Sequence, residues 1–409
     1  MSQAPSEAAP VRRGERFVAL DVLRGVAILG ILVMNIQSFA SPLPAYMNPL
    51  NYGDFSGLNR WIWGLSYVFT AEKFLTLFSM LFGAGVVLMT SRLEKKGLHS
   101  GRLHYRRMLW LILIGLLHAY VLWFGDILFT YAICALWLFP FRRLKPRTLL
   151  TVGICFFSVT SLMGLLAGLS MPSWPEEDRA EMLAEWSPPQ EEIDAEVEAY
   201  RQGWWQQMRF RLPQALMLQT SALLFMVMWK AGGLMLIGMA LYKWGILTGE
   251  ASLSTYRRLM VAGFGIGFPL VVLGAWRNLE EGFAAEWSMF VGAMPNHWGS
   301  ALVSIAYAST YCFLLRTGRL GGWKDRLAAV GRMAFTNYLL QTILCTLVFY
   351  GHGLGLFGRV ERAGQVAIVL AVWALQLVVS PIWLRHYRFG PAEWLWRSLT
   401  YGKPQPMRL

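Results

Sequence analysis

Charge is scarce in this chain. Asp, Glu, Lys and Arg make up only 15% of its 409 residues, against about 25% in soluble globular proteins. Apolar side chains fill the deficit at 56%, and mean hydropathy is +0.42. Because apolar runs long enough to cross a bilayer recur from end to end, a soluble domain with one anchor is excluded. Cysteine is also rare. Cys134, Cys155, Cys312 and Cys345 lie in apolar segments without metal-ligand spacing, so they read as small hydrophobes, and neither a disulfide nor a metal is expected. Several motifs are missing: no phosphate-cradling P-loop, no GxSxG elbow, no HExxH and no haem-type Cys-His pair. Acidic residues are outnumbered 24 to 37, a formal charge of +13. The basic residues sit in short clusters beside apolar spans, as the positive-inside rule requires, and this excludes nucleic acid as the partner they serve.

What is present is organised around residues 17–40, FVALDVLRGVAILGILVMNIQSFA. The stretch is long enough to span, yet carries Asp21, Arg24, Asn35 and Gln37. Asp21 and Arg24 are three apart and share a helix face. They form either an interfacial ion pair or a seat for an anionic ligand, with Asn35 and Gln37 as interhelical or cavity-facing groups at the far end. Arg12, Arg13 and Arg16 resemble a signal peptide's basic start. The apolar part is too long and lacks a small-residue cleavage site, so it is expected to stay as a helix. Further spans are expected at 72–92, 108–125, 126–141, 148–169, 215–242, 258–276, 296–315, 333–349 and 364–383.

These ten spans predict an all-α, polytopic membrane bundle over 17–384. The segment 1–16 is expected to be disordered and cytoplasmic, and the tail 385–409 to lie amphipathically on the cytoplasmic surface. Basic loops at 92–107, 142–147, 243–258 and 316–332 place both termini in the cytoplasm, with the acidic loops 170–211 and 277–295 outside. An aromatic segment, NRWIWGLSYVF, is expected to be an interfacial or re-entrant piece.

Embedded ionisable residues are the candidate chemistry. His118 is either a general base, its ordinary pKa being near 6.5, or a neutral hydrogen-bonding side chain. Asp126 follows eight residues later; along one straight helix the two lie about 12 Å apart and do not touch. Asp126 reads as a helix cap, as the orienter of an imidazole, or as both. Glu72 and Lys73 are neighbours on different helix faces, so each needs its own partner. Lys230 lies deep in its span, and His297 marks the edge of another. Asn337 and Gln341, four apart, form one polar stripe that either binds helices together or lines a path. Arg24, Arg106, Arg107, Arg142, Arg143 and Arg332 are either topology signals or a ring for a phosphorylated donor such as an acyl-coenzyme A.

The stretches LDVLRGVAILGILVMN, FSMLFGAG, HAYVLWFGDILFTYA, GRMAFTNYLLQT and GPAEWLWRSLTY resemble the YeiB-like bacterial inner-membrane proteins, domain of unknown function 418, over nearly the whole chain. More distantly, the opening LDxLRG is similar to heparan-α-glucosaminide N-acetyltransferase and the transmembrane acyltransferase superfamily. That resemblance implies a multi-pass inner-membrane protein moving an acyl group from cytosolic acyl-CoA to an amine or hydroxyl of a small-molecule, lipid or glycan acceptor. Asp21 and Arg24 match the first-helix motif. By analogy of position His118 becomes the base, or itself takes the acyl group, and Asp126 orients it or the acceptor. Under this reading Asp21, Asn35, Glu72, Lys73, His297, Asn337 and Gln341 are candidate acceptor contacts. A transporter or exporter and a non-catalytic scaffold are the competing readings; a homo-oligomer is left open.

Overall fold

A computed structural model describes residues 17–409; the N-terminal segment expected to be disordered, 1–16, lies outside the described residues. The chain is helical, and among the described residues the only strand-type pairing is one bridge between Tyr387 and Arg408. Among the described residues, eight helices are long and apolar enough to cross a membrane: Val18–Ala40, Gly57–Lys95, Ser100–Leu122, Pro146–Ser173, Met208–Lys243, Leu253–Glu280, Val291–Arg316 and Arg362–His386. This defines a multi-pass membrane protein. Two of the ten expected spans correspond to shorter helices, Leu128–Leu138 and Ala334–Phe349. At 1.5 Å per residue they reach about 16 and 24 Å, less than a hydrocarbon core of roughly 30 Å.

The opening helix is the axis of the bundle. It is 72% buried along its apolar window, against 17% for Pro146–Ser173 and 22% for Arg362–His386 at the periphery. Peripheral helices turn a stripe of large apolar side chains outward. Leu109, Leu113, Leu117 and Val121 are all exposed on one helix at four-residue spacing, as a lipid-facing surface requires.

Small residues let the central helices touch backbone to backbone. Gly25 on the opening helix lies against the backbone of Leu327 and Gly331 on the helix Trp323–Arg332, and Gly331 in turn meets Asp21. Gly238 sits on the backbone of Met80, and Gly83 on that of Met235, which holds Lys73–Lys95 against Met228–Lys243.

Three local irregularities shape the interior. The aromatic segment NRWIWGLSYVF lies in a helix, Gly57–Phe69, with Leu58, Trp61 and Leu65 exposed. It breaks at residues 70–72, where Glu72 adopts φ 67°, before Lys73–Lys95 begins. Single π-turns interrupt the chain at His118–Leu122 and Leu223–Val227. The acidic connection 170–211 folds over one end of the bundle as helices Glu176–Trp186 and Gln190–Gln202. Trp186 Nε1 donates to the Phe283 carbonyl at 2.8 Å, and Tyr200 stacks on Phe357. At the other end, Phe17 and the C-terminal helix Pro391–Tyr401 share one cavity wall.

Gly238→Leu is expected to force the two helices apart, an overpacking that costs about 1–3 kcal/mol or more, and to lower the melting temperature and the monodisperse fraction in detergent. Gly265→Leu, where an added side chain meets nothing within 4 Å, should leave both unchanged.

Candidate functional site

Two places gather the polar residues of the interior. The first is His118. The π-turn ends its helix, the chain reverses through residues 123–127, and Asp126 comes back to the imidazole instead of continuing along a straight helix. Nδ1 of His118 lies 2.8 Å from Asp126 Oδ2, with the two side chains 1% and 0% exposed. Asp126 Oδ1 also accepts from the Phe129 N–H at 2.8 Å, capping the short helix Leu128–Leu138, so capping and orienting are combined in one carboxylate. Nε2 of His118 lies 3.0 Å from the Thr342 hydroxyl. In the tautomer that carries its proton on Nδ1 and donates it to Asp126, Nε2 keeps a lone pair and accepts from Thr342. A carboxylate, an imidazole and a hydroxyl in this order are the components of a proton relay. Trp123 stands 6.4 Å from the imidazole and stacks on Phe39, sealing that side.

A cavity of about 290 Å³ approaches the dyad from the end of the bundle that holds Phe17 and the C-terminal helix. Its mouth carries seven cations, Arg24, Arg92, Lys96, Arg107, Arg332, Arg388 and Arg397, against Asp21 and Glu393. Its depth is apolar and aromatic: Phe78, Phe82, Leu111, Leu128, Tyr131 and Tyr338. Tyr338 is the partition. Its ring lines the cavity on one face and lies 5.1 Å from the His118 ring on the other.

The structure thus sorts the expected cations. Arg24, paired with Asp21 at 3.3 Å, joins Arg107 and Arg332 at the mouth. Arg142 and Arg143 instead meet Glu94 at 2.9 and 3.4 Å, and Arg106 packs beside Gly402. The C-terminal segment supplies cations that its surface-amphipathic appearance concealed. It is docked by Trp396, whose Nε1 donates to the Arg107 carbonyl at 2.9 Å while the Arg107 guanidinium lies 4.0 Å over its ring. Glu393 completes the dock by accepting from the N–H groups of Phe335 and Thr336 at 2.7 and 3.2 Å and from the Thr336 hydroxyl. It thereby caps the helix Ala334–Phe349 from a distance. Burial pushes the Glu393 carboxyl above its usual range, against the pull of those hydrogen bonds. His104, also missed, lines the same cavity and bonds the Ala135 carbonyl at 2.9 Å. An acidic residue two places after Gly-Pro, at the start of an aromatic helix, was the one signal of a docked tail.

The second polar place surrounds the helix break. Glu72 reaches Lys230 at 2.6 Å; the fully buried Lys73 donates to Asn296 Oδ1 at 2.7 Å and to the Tyr67 carbonyl at 2.8 Å. His297 stacks on Phe157 at 3.8 Å. The partners that adjacent Glu72 and Lys73 needed therefore come from two different helices.

Three other candidates lie apart from the dyad and the cationic cavity. Asn337 Nδ2 bonds the Val330 carbonyl and Ser380, and Gln341 Nε2 bonds the Ile28 carbonyl and Gln376; both tie helices together. Asn35 accepts the Ser38 hydroxyl on its backbone carbonyl at 3.0 Å.

A multi-pass helical protein with a cation-mouthed cavity ending beside a buried His–Asp pair is the class this geometry defines. The family model described as a protein of unknown function (DUF418) matches residues 241–403. The chain is 36% identical to the uncharacterized protein YeiB of Escherichia coli strain K12, covering 96% of this chain and 98% of that one. It is 33% identical to the uncharacterized protein YxaH of Bacillus subtilis strain 168, over 97% of each, and 26% identical to an uncharacterized 39.9 kDa protein from Bacillus acidopullulyticus, over 98% of each. No solved structure matches. The chain belongs to the YeiB-like DUF418 family.

Glu393→Ala is expected to lower the melting temperature by freeing capped N–H groups, a loss of about 1–2 kcal/mol, whereas Glu393→Gln keeps an acceptor and costs less. Because the folded carboxyl is raised, its contribution to stability is fullest below the ordinary carboxylate pKa and falls as pH rises toward the folded value. Thermal melts across pH should show that decline in the wild type and a flatter profile in Glu393→Gln.

Proposed function

We propose that the protein is a transmembrane acyltransferase that takes an acyl group from a phosphorylated thioester donor, of the acyl-CoA type, at the cationic mouth. The observation carrying this reading is a single cavity with guanidinium groups at its entrance and aromatic and aliphatic walls at its depth, ending one ring away from His118. Arginine binds phosphate oxygens through paired N–H donors, which a hydrated apolar channel would not do. The apolar depth accommodates the acyl and thioester portion. The positive-inside rule assigns that mouth to the cytoplasm and supports a bacterial inner-membrane location.

The chemistry asked of the chain is limited. The Nε2 lone pair of His118 takes the proton of the attacking amine or hydroxyl, directly or through the Thr342 hydroxyl, once the Tyr338 ring moves aside. The acceptor atom bonds to the acyl carbon, the carbon–sulfur bond breaks, and the proton passes to the departing thiolate. Asp126 holds the imidazole in the required tautomer and stabilises its charged form. The acceptor is a small molecule, a lipid or a glycan.

A transporter or exporter is the second reading, and one observation favours it: the helix break at residues 70–72 and the π-turn before Lys230 meet at the Glu72–Lys230 pair. Interrupted helices joined by an embedded ion pair suit alternating access.

In reconstituted vesicles with radiolabelled donor, His118→Ala should abolish transfer while insertion and melting temperature stay near wild type. Arg107→Gln should raise the donor KM about tenfold or more with little change in kcat. Unchanged turnover in His118→Ala would remove that residue from the mechanism. Failure of acyl-CoA to raise the melting temperature would favour the transporter.

A further inference from the structure

A second cavity, of about 380 Å³, opens at the opposite end of the bundle, where the opening helix finishes and Arg362–His386 begins. This size suits a small ligand. Its lining is polar and carries both signs of charge, with Gln37, Asp54, Arg359, Glu361, Arg362 and Gln365 among the wall residues. Asp54 and Glu361 are held by one amide. Asn59 Nδ2 donates to Asp54 Oδ2 and to Glu361 Oε2, each at 3.1 Å, so the two carboxylates lie within roughly 6 Å of each other, where like charges repel. Behind them Asn59 is 5% exposed, and its Oδ1 is a buried acceptor without a partner. Hydrogen bonds from Ser56 and Asn59 hold the Asp54 carboxyl below its usual range, keeping it charged.

The guanidinium of Arg362 faces the same space but donates to Gln37 Oε1 at 2.8 Å and not to either carboxylate. Opposite charges inside one cavity ordinarily collapse into an ion pair. Here the two carboxylates rest on the Asn59 amide and the Arg362 guanidinium on the Gln37 amide, while Arg359 adds a second cation to the wall. This arrangement is complementary to a molecule that carries its own two charges.

We propose that this cavity binds a zwitterion with a primary ammonium and an anionic oxygen group, the ammonium between Asp54 and Glu361 and the anion on Arg362. An ammonium offers three N–H donors to an acceptor-rich wall and relieves the carboxylate repulsion; a phosphate or carboxylate group accepts from the guanidinium fork. Phosphoethanolamine and free amino acids share this chemistry. The assignment does not rest on acyl transfer, because binding is read without donor.

The test is calorimetric titration of the full-length protein in detergent with O-phosphoethanolamine, against ethanolamine, inorganic phosphate, glucose and calcium as single-feature probes. Phosphoethanolamine should bind at least tenfold more tightly than any of these. Glu361→Gln and Arg362→Gln should each weaken it about tenfold or more. Asp54→Asn, at an exposed position, tests the same wall without risk to folding. Tighter binding of a short-chain phosphatidylethanolamine than of phosphoethanolamine assigns a lipid headgroup, and tighter binding of serine assigns a soluble amino acid; either supports a zwitterion site. Equal binding of ethanolamine or phosphate alone, preference for glucose or calcium, no binding, or wild-type affinity in all three variants would overturn it.

Discussion

Hydrocarbon offers no hydrogen-bond partner, and a polar atom carried into it has to find one within the protein. That constraint organises this bundle. Lys73 is wholly buried and is satisfied by a carbonyl and an amide from other segments. Gln341, Gln376 and Asn337 pass hydrogen bonds between three helices, ending on the Ile28 carbonyl of the central one. The Asp126–His118–Thr342 chain follows the same rule, with His118 in the middle bonded to both of the others. Polar residues in these spans are therefore structural by default, and function has to be argued from where space adjoins them.

Space adjoins them at two ends of one helix. Val18–Ala40 presents Asp21 and Arg24 to the cationic cavity and Gln37 to the mixed-charge cavity. Between the two lie the dyad and its seals, Tyr338 on one side and the Trp123–Phe39 stack on the other. Because the opening helix packs through glycine contacts on its neighbour, its orientation is set by backbone and not by flexible side chains. Both cavities inherit that rigidity. Glu393 and Trp396 extend it to the tail, which makes the C-terminal helix part of the cavity wall.

Apolar runs and the Asp21–Arg24 spacing were legible in the chain because they depend on neighbours three or four residues apart. The broken and bent elements were less so. Spacing of eight places His118 and Asp126 apart on an ideal helix, and only a π-turn followed by a reversal brings them to 2.8 Å. The pair Glu72 and Lys230 is separated by 158 residues, so no local rule connects them. Charge counting grouped Arg142 and Arg143 with the cations of the cavity mouth, although Glu94 claims them. It passed over Arg388 and Arg397 because their segment has the amphipathic pattern of a surface helix, and that pattern does not say which surface is covered.

The central claim is that an anionic acyl donor occupies the cavity between the arginine mouth and Tyr338. Gly85 lines that cavity, and a side chain added there lies 3.6 Å from the Arg24 guanidinium, so a cysteine at this position reports occupancy directly. In a Gly85→Cys variant freed of the native cysteines and held in vesicles, a charged thiol reagent should label from the cytoplasmic face only, and acyl-CoA should protect the site. Labelling that acyl-CoA leaves unchanged, or that proceeds only from the opposite face, would contradict the account.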